Sequence, residues 1–299
     1  MQSVLTIGEI INKTKQYLTK YEVSSPRLDA EILLCHILQK DRVYLYVHFD
    51  QPLAKKEVDE YRALIMRRAK GEPVAYIIGQ KNFLNLEFTV DKNVLVPRPE
   101  TELLAECAIK IFKDKKETLL DLGTGSGAIA LSVLYNCLYM TGLALDVSVD
   151  ALSIAKQNAA KFSLEDRVEF LHTDMRDFLD EEAQDKFALI LSNPPYITKE
   201  EMQELAKEVR SEPSIALDGG EDGLDFYRCI IKNAEKLLLP TGLVLLEIGC
   251  SQAVQVSDLA TKAGFTKQGI IKDYAGLDRI VWLAGDEFED ADKVLVSKK

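Results

Sequence analysis

Apolar positions at helical spacing dominate the first part of the chain. Thr6–Glu9 has the spacing of a capping box ahead of such a run. Ser25-Pro26 places a hydroxyl cap before a proline at the first helical position. A third amphipathic stretch ends near Lys70-Gly71. We therefore predict a small all-α N-terminal domain over residues 1–72.

Short apolar runs bounded by polar turns follow this helical part. VAYIIGQKNF, LEFTV and VLVP, between residues 74 and 97, predict short strands and a β-hairpin connector over residues 73–98. The segment PRPETE at 97–102 then leads into another amphipathic helix.

From Glu117 onward, short apolar runs alternate with helix-length amphipathic stretches, which is typical of a parallel sheet with helices on both faces. The runs are TLLDLG, GLALDV, RVEFLH, FALILS and GLVLLEIG. KQGIIKD and DRIVWLA follow with only a short connection, so we predict that this last pair is antiparallel. The pattern predicts an α/β fold with a Rossmann-like sheet over residues 99–285 and a charged, poorly ordered tail over 286–299.

Length and charge limit the classes of function that this chain could have. The 299 residues suit two domains, and 47% hydrophobic content supports a real core. A net charge of -11 is unfavourable for binding the negatively charged phosphate backbone of nucleic acids. We therefore expect no direct nucleic acid partner. The uncharged segment Leu122–Leu145 contains glycines and hydroxyl residues, so it predicts a strand, a turn and a buried helix rather than a membrane span.

The five cysteines are scattered without a C-x-x-C pair, and we expect no signal peptide. We expect reduced thiols in a cytoplasmic protein, and we assign none of them to a site. We also predict no metal site.

A glycine turn follows the first parallel strand in DLGTGSGA. Gly123-x-Gly125-x-x-Ala128 fits the dinucleotide fingerprint, but several cofactor classes use such a turn. Asp146 ends the second strand. Its carboxylate could accept hydrogen bonds from both hydroxyls of a ribose, or it could instead cap the helix that begins near Ser148. Asp174 and Met175 follow the third strand, where they could frame an adenine ring, or could be a solvated acid and a core side chain.

The corner Asn193-Pro194-Pro195-Tyr196 follows the fourth strand, at the same edge of the sheet. Hydride transfer has no obvious use for it, whereas methyl transfer to a planar nitrogen does. The Asn193 side-chain oxygen and the Pro194 carbonyl could each accept one N–H, which orients the nitrogen lone pair and stabilises developing positive charge. Pro195 keeps the corner rigid and Tyr196 offers a stacking face, while no general base is needed to start the reaction.

Four segments together resemble the HemK/PrmC family: PRPETE at 97–102, DLGTGSGAIAL at 121–131, NPPY at 193–196 and EPSIALDGGEDGLDFY at 212–227. PRLDAEILLCHIL at 26–38 and KDYAGLDRIV at 272–281 also fit. The resemblance implies a class I methyltransferase that uses S-adenosylmethionine. Its implied substrate is the side-chain amide nitrogen (N5) of glutamine in the Gly-Gly-Gln motif of peptide chain release factors.

The resemblance also implies roles for individual residues. Cofactor contacts are expected from Gly123, Thr124, Gly125, Ser126, Gly127, Asp146, Met175 and Asn193. Substrate contacts are expected from Asn193, Pro194, Pro195 and Tyr196, with Asn193, Pro194 and Tyr196 as the catalytic set. Family members often have an aromatic residue where this chain has Met175, and a thioether can also pack on adenine. The helical N-terminal domain would dock the release factor, and Arg98, Glu100 and Glu102 would either shape the loop over the cofactor or form structural ion pairs.

Three other functions are compatible with parts of the sequence. NPPY could hold an adenine for N6 methylation of RNA or DNA, although the charge argues against it. The glycine fingerprint alone would fit a nicotinamide oxidoreductase. A nucleotide-binding protein without catalysis would have no evident use for NPPY.

Overall fold

Short helices form the N-terminal part of the computed structural model, which describes residues 5–181 and 186–290. They are α1 (Ile7–Lys20), α2 (Pro26–Leu38), α3 (Arg42–Val47), α4 (Lys55–Ala69) and α5 (Val74–Ile78). The predicted capping box is confirmed, because the Thr6 hydroxyl accepts the Glu9 N–H while the Glu9 carboxylate accepts the Thr6 N–H. The apolar faces meet in one core, which includes Ile7, Leu18, Leu33, Leu34 and Tyr61.

Two sequence predictions next to this helical part were wrong. VAYII forms α5, because the Pro73 carbonyl accepts two helical N–H groups and Gly79, with φ of 77°, ends the turn. VLVP at 94–97 is not a strand, since the Val96 N–H donates to a carboxylate instead of a neighbouring strand and a proline follows it. The hairpin itself consists of β1 (Gln80–Phe83) and β2 (Leu86–Thr89).

Seven strands among the described residues form one sheet in the order β5-β4-β3-β6-β7-β9-β8. They are β3 (Thr118–Leu122), β4 (Thr141–Asp146), β5 (Val168–His172), β6 (Phe187–Ser192), β7 (Leu238–Glu247), β8 (Lys267–Lys272) and β9 (Asp278–Ala284). The first five pair in parallel, and β9 runs antiparallel to both β7 and β8. The predicted α/β class and antiparallel last pair are therefore confirmed.

Helices between the strands cover this sheet. They are α6 (Pro99–Phe112), α7 (Ala128–Asn136), α8 (Val149–Lys161), α9 (Met175–Asp180), α10 (Glu201–Glu204), α11 (Asp225–Leu237) and α12 (Ala253–Lys262). Every residue of β6 is buried, as expected for a central parallel strand with both faces covered. No helix in the described part of the chain combines the length and apolar character needed to cross a bilayer.

The described chain forms two compact units. Residues 5–80 and 206–211 make the helical unit, and the remaining described residues from 81 to 290 make the sheet unit. The segment 206–211 is absent from the predicted helical domain, which ended at residue 72. Of the predicted charged tail, residues 291–299 lie outside the described residues.

A buried ion cluster ties segment 206–211 into the helical unit. The Arg68 side chain is 4% exposed and donates to Asp29 at 2.6 Å and to Glu208. Removing one partner of a buried pair leaves an uncompensated charge, which costs far more than losing an exposed pair. The neighbouring Arg67 is 44% exposed and pairs with Glu72, so it offers a matched comparison.

We predict that Arg68→Met lowers the free energy of unfolding of the helical unit by about 3 to 5 kcal/mol, because Asp29 is left buried without its partner. Arg67→Met should cost less than about 1 kcal/mol. Chemical denaturation followed by circular dichroism measures both variants. Equal losses for the two variants would contradict a specific role for the buried cluster.

Candidate active site

The glycine turn at residues 123–127 has a backbone shape that favours glycine. Its three glycines have φ values of 76°, 56° and 80°, all in the left-handed region. The N–H groups of Gly123 and Thr124 donate to the Leu145 carbonyl at 3.0 and 2.9 Å. The turn is thereby fixed to β4, the neighbouring strand, at the edge where both strands end.

Asp146 closes the turn from the end of β4. Its Oδ2 accepts the Gly125 N–H at 2.8 Å and its Oδ1 accepts the Ser148 N–H at 2.9 Å. Ser148 is itself the cap of α8, because its hydroxyl accepts the Ala151 N–H. Burial raises the pKa of Asp146, while the backbone N–H groups that it accepts oppose this rise. A carboxylate has about four acceptor positions, so Asp146 retains capacity for further hydroxyl donors.

Met175 and Asp174 stand beside the turn. The Met175 Cε lies 3.1 Å from the position that a Cβ on Gly123 would occupy, so the thioether packs directly over the turn. The Asp174 Oδ2 accepts a hydrogen bond from the Arg176 Nη2 at 2.6 Å. This hydrogen bond lowers the pKa of Asp174. Arg176 also lies 5.6 Å over the Phe226 ring. Asp174 is thus paired with Arg176, while the polarisable thioether of Met175 packs on the glycine turn.

The NPPY corner begins where β6 ends. The Ser192 hydroxyl donates to the Leu122 carbonyl at 2.7 Å, which holds this strand end against the end of β3. The Asn193 Nδ2 donates to the Thr101 hydroxyl at 3.2 Å. Burial raises the pKa of Tyr196 to about 12, so the phenol is neutral at physiological pH.

Glycines of the segment 212–227 pack against the backbone of this corner. A Cβ on Gly219 would lie 2.7 Å from the Tyr196 Cα, and a Cβ on Gly223 would lie 2.4 Å from the Tyr196 carbonyl oxygen. The Gly219 N–H donates to the Ile197 carbonyl at 2.9 Å, and the Gln252 amide donates to the Tyr196 carbonyl at 3.1 Å. The corner is therefore held by backbone packing that a larger residue would displace.

The charged residues of PRPETE have separate structural partners. Arg98 donates at 2.6 Å to Glu212, which is buried, and the second Glu212 oxygen accepts the Val96 N–H. Glu102 accepts a backbone N–H of the β1–β2 turn at 3.0 Å, whereas Glu100 is exposed. The Arg98–Glu212 pair joins the loop after the hairpin to the segment after NPPY.

A cleft opens among these elements in the sheet unit. Six of the residues predicted for the site line it: Gly123, Gly125, Asp146, Met175, Asn193 and Pro195. The other predicted residues are not part of this lining: Thr124, Ser126, Gly127, Pro194 and Tyr196. Among the described residues, no group of three or more His, Cys, Asp or Glu side chains is arranged to hold a metal ion.

Sequence reasoning missed part of the cleft wall. The added residues are Asn93, Val94, Leu95, Leu145, Val147, Ser148, Ala151, Arg176, Pro213, Ile215, Ala216 and Phe226, whereas Asp174 was already a candidate for framing the adenine ring. The segment EPSIA at 212–216 was noted only as part of a family resemblance. Val94 and Leu95 were interpreted as part of a strand, and Asn93 gave no signal.

Comparison with known proteins identifies the family. A model of the PrmC N-terminal domain matches residues 9–79, and a model of the methyltransferase small domain matches residues 99–220. The release factor glutamine methyltransferase of Thermodesulfovibrio yellowstonii is 39% identical over 287 residues, which cover 95% of this chain and 98% of the relative. The chain belongs to the HemK/PrmC family. The resemblance predicted from the sequence is confirmed.

Other relatives of this HemK/PrmC chain are longer. It is 36% identical over 296 residues to a bifunctional methyltransferase of Rickettsia prowazekii, and it spans 57% of the length of that relative. Among solved structures, a methyltransferase from Pyrococcus furiosus matches with a TM-score of 0.50, covering 75% of this chain and 98% of that one. At 19% identity this likeness shows the fold alone.

Asp121 lies fully buried under the glycine turn of this HemK/PrmC chain. Its Oδ2 accepts the Thr124 hydroxyl at 2.7 Å, and Oδ1 has no hydrogen-bond partner among the described residues by distance and angle. Burial raises the pKa of Asp121 to about 7, although Thr124 and the Ala130 N–H at the start of α7 oppose the rise. The protonated form is therefore stabilised in the folded state relative to the unfolded chain.

We predict that Asp121 makes the sheet unit less stable as pH rises from about 4 to about 7. Its pKa is higher when folded, so its contribution is fully present below the unfolded pKa and is lost on passing the folded pKa. Asp121→Asn should remove this dependence, a difference on the order of a few kcal/mol across that range. Urea denaturation of both proteins at a series of pH values measures it. If the free energies of unfolding of the wild type and of Asp121→Asn change with pH in the same way, the prediction is contradicted.

Proposed function

We propose that this protein transfers a methyl group from S-adenosylmethionine to the side-chain amide nitrogen of glutamine in the Gly-Gly-Gln motif of peptide chain release factors. The observation that supports this most is the common wall that Asn193 and Pro195 share with the glycine turn and Asp146. Relatives of nearly the same length support the same activity, since they are release factor glutamine methyltransferases.

The cleft has features that fit the cofactor. No atom of the described residues lies within 4 Å of the position that a Cβ on Gly125 would take, so a ligand has room beside the bare backbone. Asp146 would accept the ribose hydroxyls, and Met175 would lie against the adenine. When bound, S-adenosylmethionine supplies an electrophilic methyl group on a sulfonium.

The chain's own residues would prepare the substrate nitrogen. The Asn193 Oδ1 and the Pro194 carbonyl would each accept one N–H of the glutamine amide, which directs its lone pair and stabilises positive charge on nitrogen. Tyr196, neutral because burial raises the pKa of its phenol, would offer a flat face. No general base is required, since the alkylated nitrogen is acidic enough to lose a proton to water.

The helical unit would dock the release factor. On α3, the side chains of Val43, Tyr46 and Val47 are more than half exposed, although they are apolar or aromatic, which marks a candidate interaction surface. The chain's net charge of -11 would favour a basic partner. All five cysteines are free thiols, which agrees with a cytoplasmic location, and we propose neither a nucleic acid nor a membrane partner.

Adenine-N6 methylation of RNA or DNA is the nearest alternative, because NPPY would suit any planar nitrogen. Arg176 is the one cation among the described residues that line the cleft, and Asp174 neutralises it. A nucleic acid site would need unpaired cations along the backbone path.

We predict that wild-type protein with radiolabelled S-adenosylmethionine labels a release factor but neither total tRNA nor duplex DNA. A release factor with its Gly-Gly-Gln glutamine changed to asparagine should take no label. Asn193→Ala should lower kcat at least about 10²-fold with unchanged folding, the scale of losing one oriented acceptor. Label on nucleic acid alone, or a fully active Asn193→Ala variant, would overturn the proposal.

Two glycines provide a matched test of the cofactor position. Gly125 and Gly276 both have positive φ, 56° and 83°, with no atom of the described residues within 4 Å of an added Cβ. Gly125 lines the cleft and Gly276 does not. We predict that Gly125→Ala weakens S-adenosylmethionine binding at least about 10-fold in calorimetry, because the methyl group occupies ligand space. Gly276→Ala should have a similar stability cost and unchanged affinity; equal affinities for the two variants would contradict the assignment.

A further inference from the structure

The Asn193 carboxamide is held by a side chain from another element. Its Nδ2 donates at 3.2 Å to the hydroxyl of Thr101, which lies in the first turn of α6 and is 4% exposed. A carboxamide has its oxygen opposite its nitrogen across the Cγ atom. With Nδ2 engaged by Thr101, the Oδ1 acceptor is directed away from Thr101, and Asn193 lines the cleft.

In this contact the Asn193 Nδ2 is the donor and the Thr101 hydroxyl oxygen is the acceptor. A hydroxyl oxygen keeps lone pairs for such a bond wherever its own proton points. The contact therefore holds the carboxamide with its nitrogen toward Thr101.

We infer that Thr101 is a positioning residue that fixes the Asn193 carboxamide with its oxygen toward the substrate amide. This inference rests on the proposed function, because it assigns the oriented oxygen to a substrate N–H. Thr101 does not line the cleft, so it acts through Asn193.

Threonine variants test the hydroxyl. Thr101→Val removes the hydrogen bond at constant shape and should lower kcat about 10- to 100-fold, while KM for S-adenosylmethionine changes less than about twofold, because orientation rather than binding is lost. Thr101→Ser keeps the hydroxyl and should restore at least about a third of wild-type kcat. Thr14→Val removes another buried threonine hydroxyl, in the helical unit, and should not change kcat. Equal losses in Thr101→Val and Thr101→Ser, or full activity in Thr101→Val, would overturn the inference.

Nuclear magnetic resonance separates this inference from the proposed function. In protein labelled with ¹⁵N-asparagine, the side-chain NH₂ signal of Asn193 is assigned by its loss in Asn193→Ala. Thr101→Val should shift this signal, and Thr14→Val should not. If no release factor is methylated but the signal shifts as expected, the proposed function fails and the Thr101–Asn193 hydrogen bond stands. An unshifted signal would refute this hydrogen bond whatever the substrate is.

Discussion

Parallel pairing of β3 with β4 on one side and β6 on the other is the constraint on which the site depends. Leu122 of β3 is opposite Leu145 of β4, and Asp121 is opposite Leu191 of β6. All three strands therefore end at one edge of the sheet. The glycine turn, Asp146 and Asn193 each follow directly from one of these ends, so no long loop has to place them. A slip of one residue in either pairing would turn these side chains away from the cleft.

Fixed strand ends are not sufficient, because the chain after β6 must also keep one shape. Two prolines stiffen the corner, but they leave the Tyr196 carbonyl and the following backbone to be satisfied. Gly219 and Gly223 meet that need by close approach, and Gln252 adds a hydrogen bond to the same carbonyl. The tight packing explains why a glycine-rich segment 25 or so residues beyond the corner belongs to the same site.

Local patterns were enough to predict the sheet, its antiparallel end and the six predicted residues on the cleft wall, because strand runs and glycine turns depend on nearby residues. VAYII was misread because a short apolar run has no length by which to separate strand from helix, and the turn at Gly79 decided it. The walls at 93–95 and 213–216 depend on the Arg98–Glu212 pair. That pair joins residues more than 110 positions apart, which no local period reveals.

Two buried threonine hydroxyls hold parts of the site from within the protein. The Thr124 hydroxyl donates to the fully buried Asp121 at 2.7 Å, and the Thr101 hydroxyl accepts the Asn193 Nδ2 at 3.2 Å. The first contact fixes the glycine turn, and the second fixes the carboxamide that follows β6. Burial raises the pKa of Asp121 to about 7, so keeping this acid under the turn lowers stability near neutral pH. That loss is linked to the fixed shape of the turn that lines the cleft.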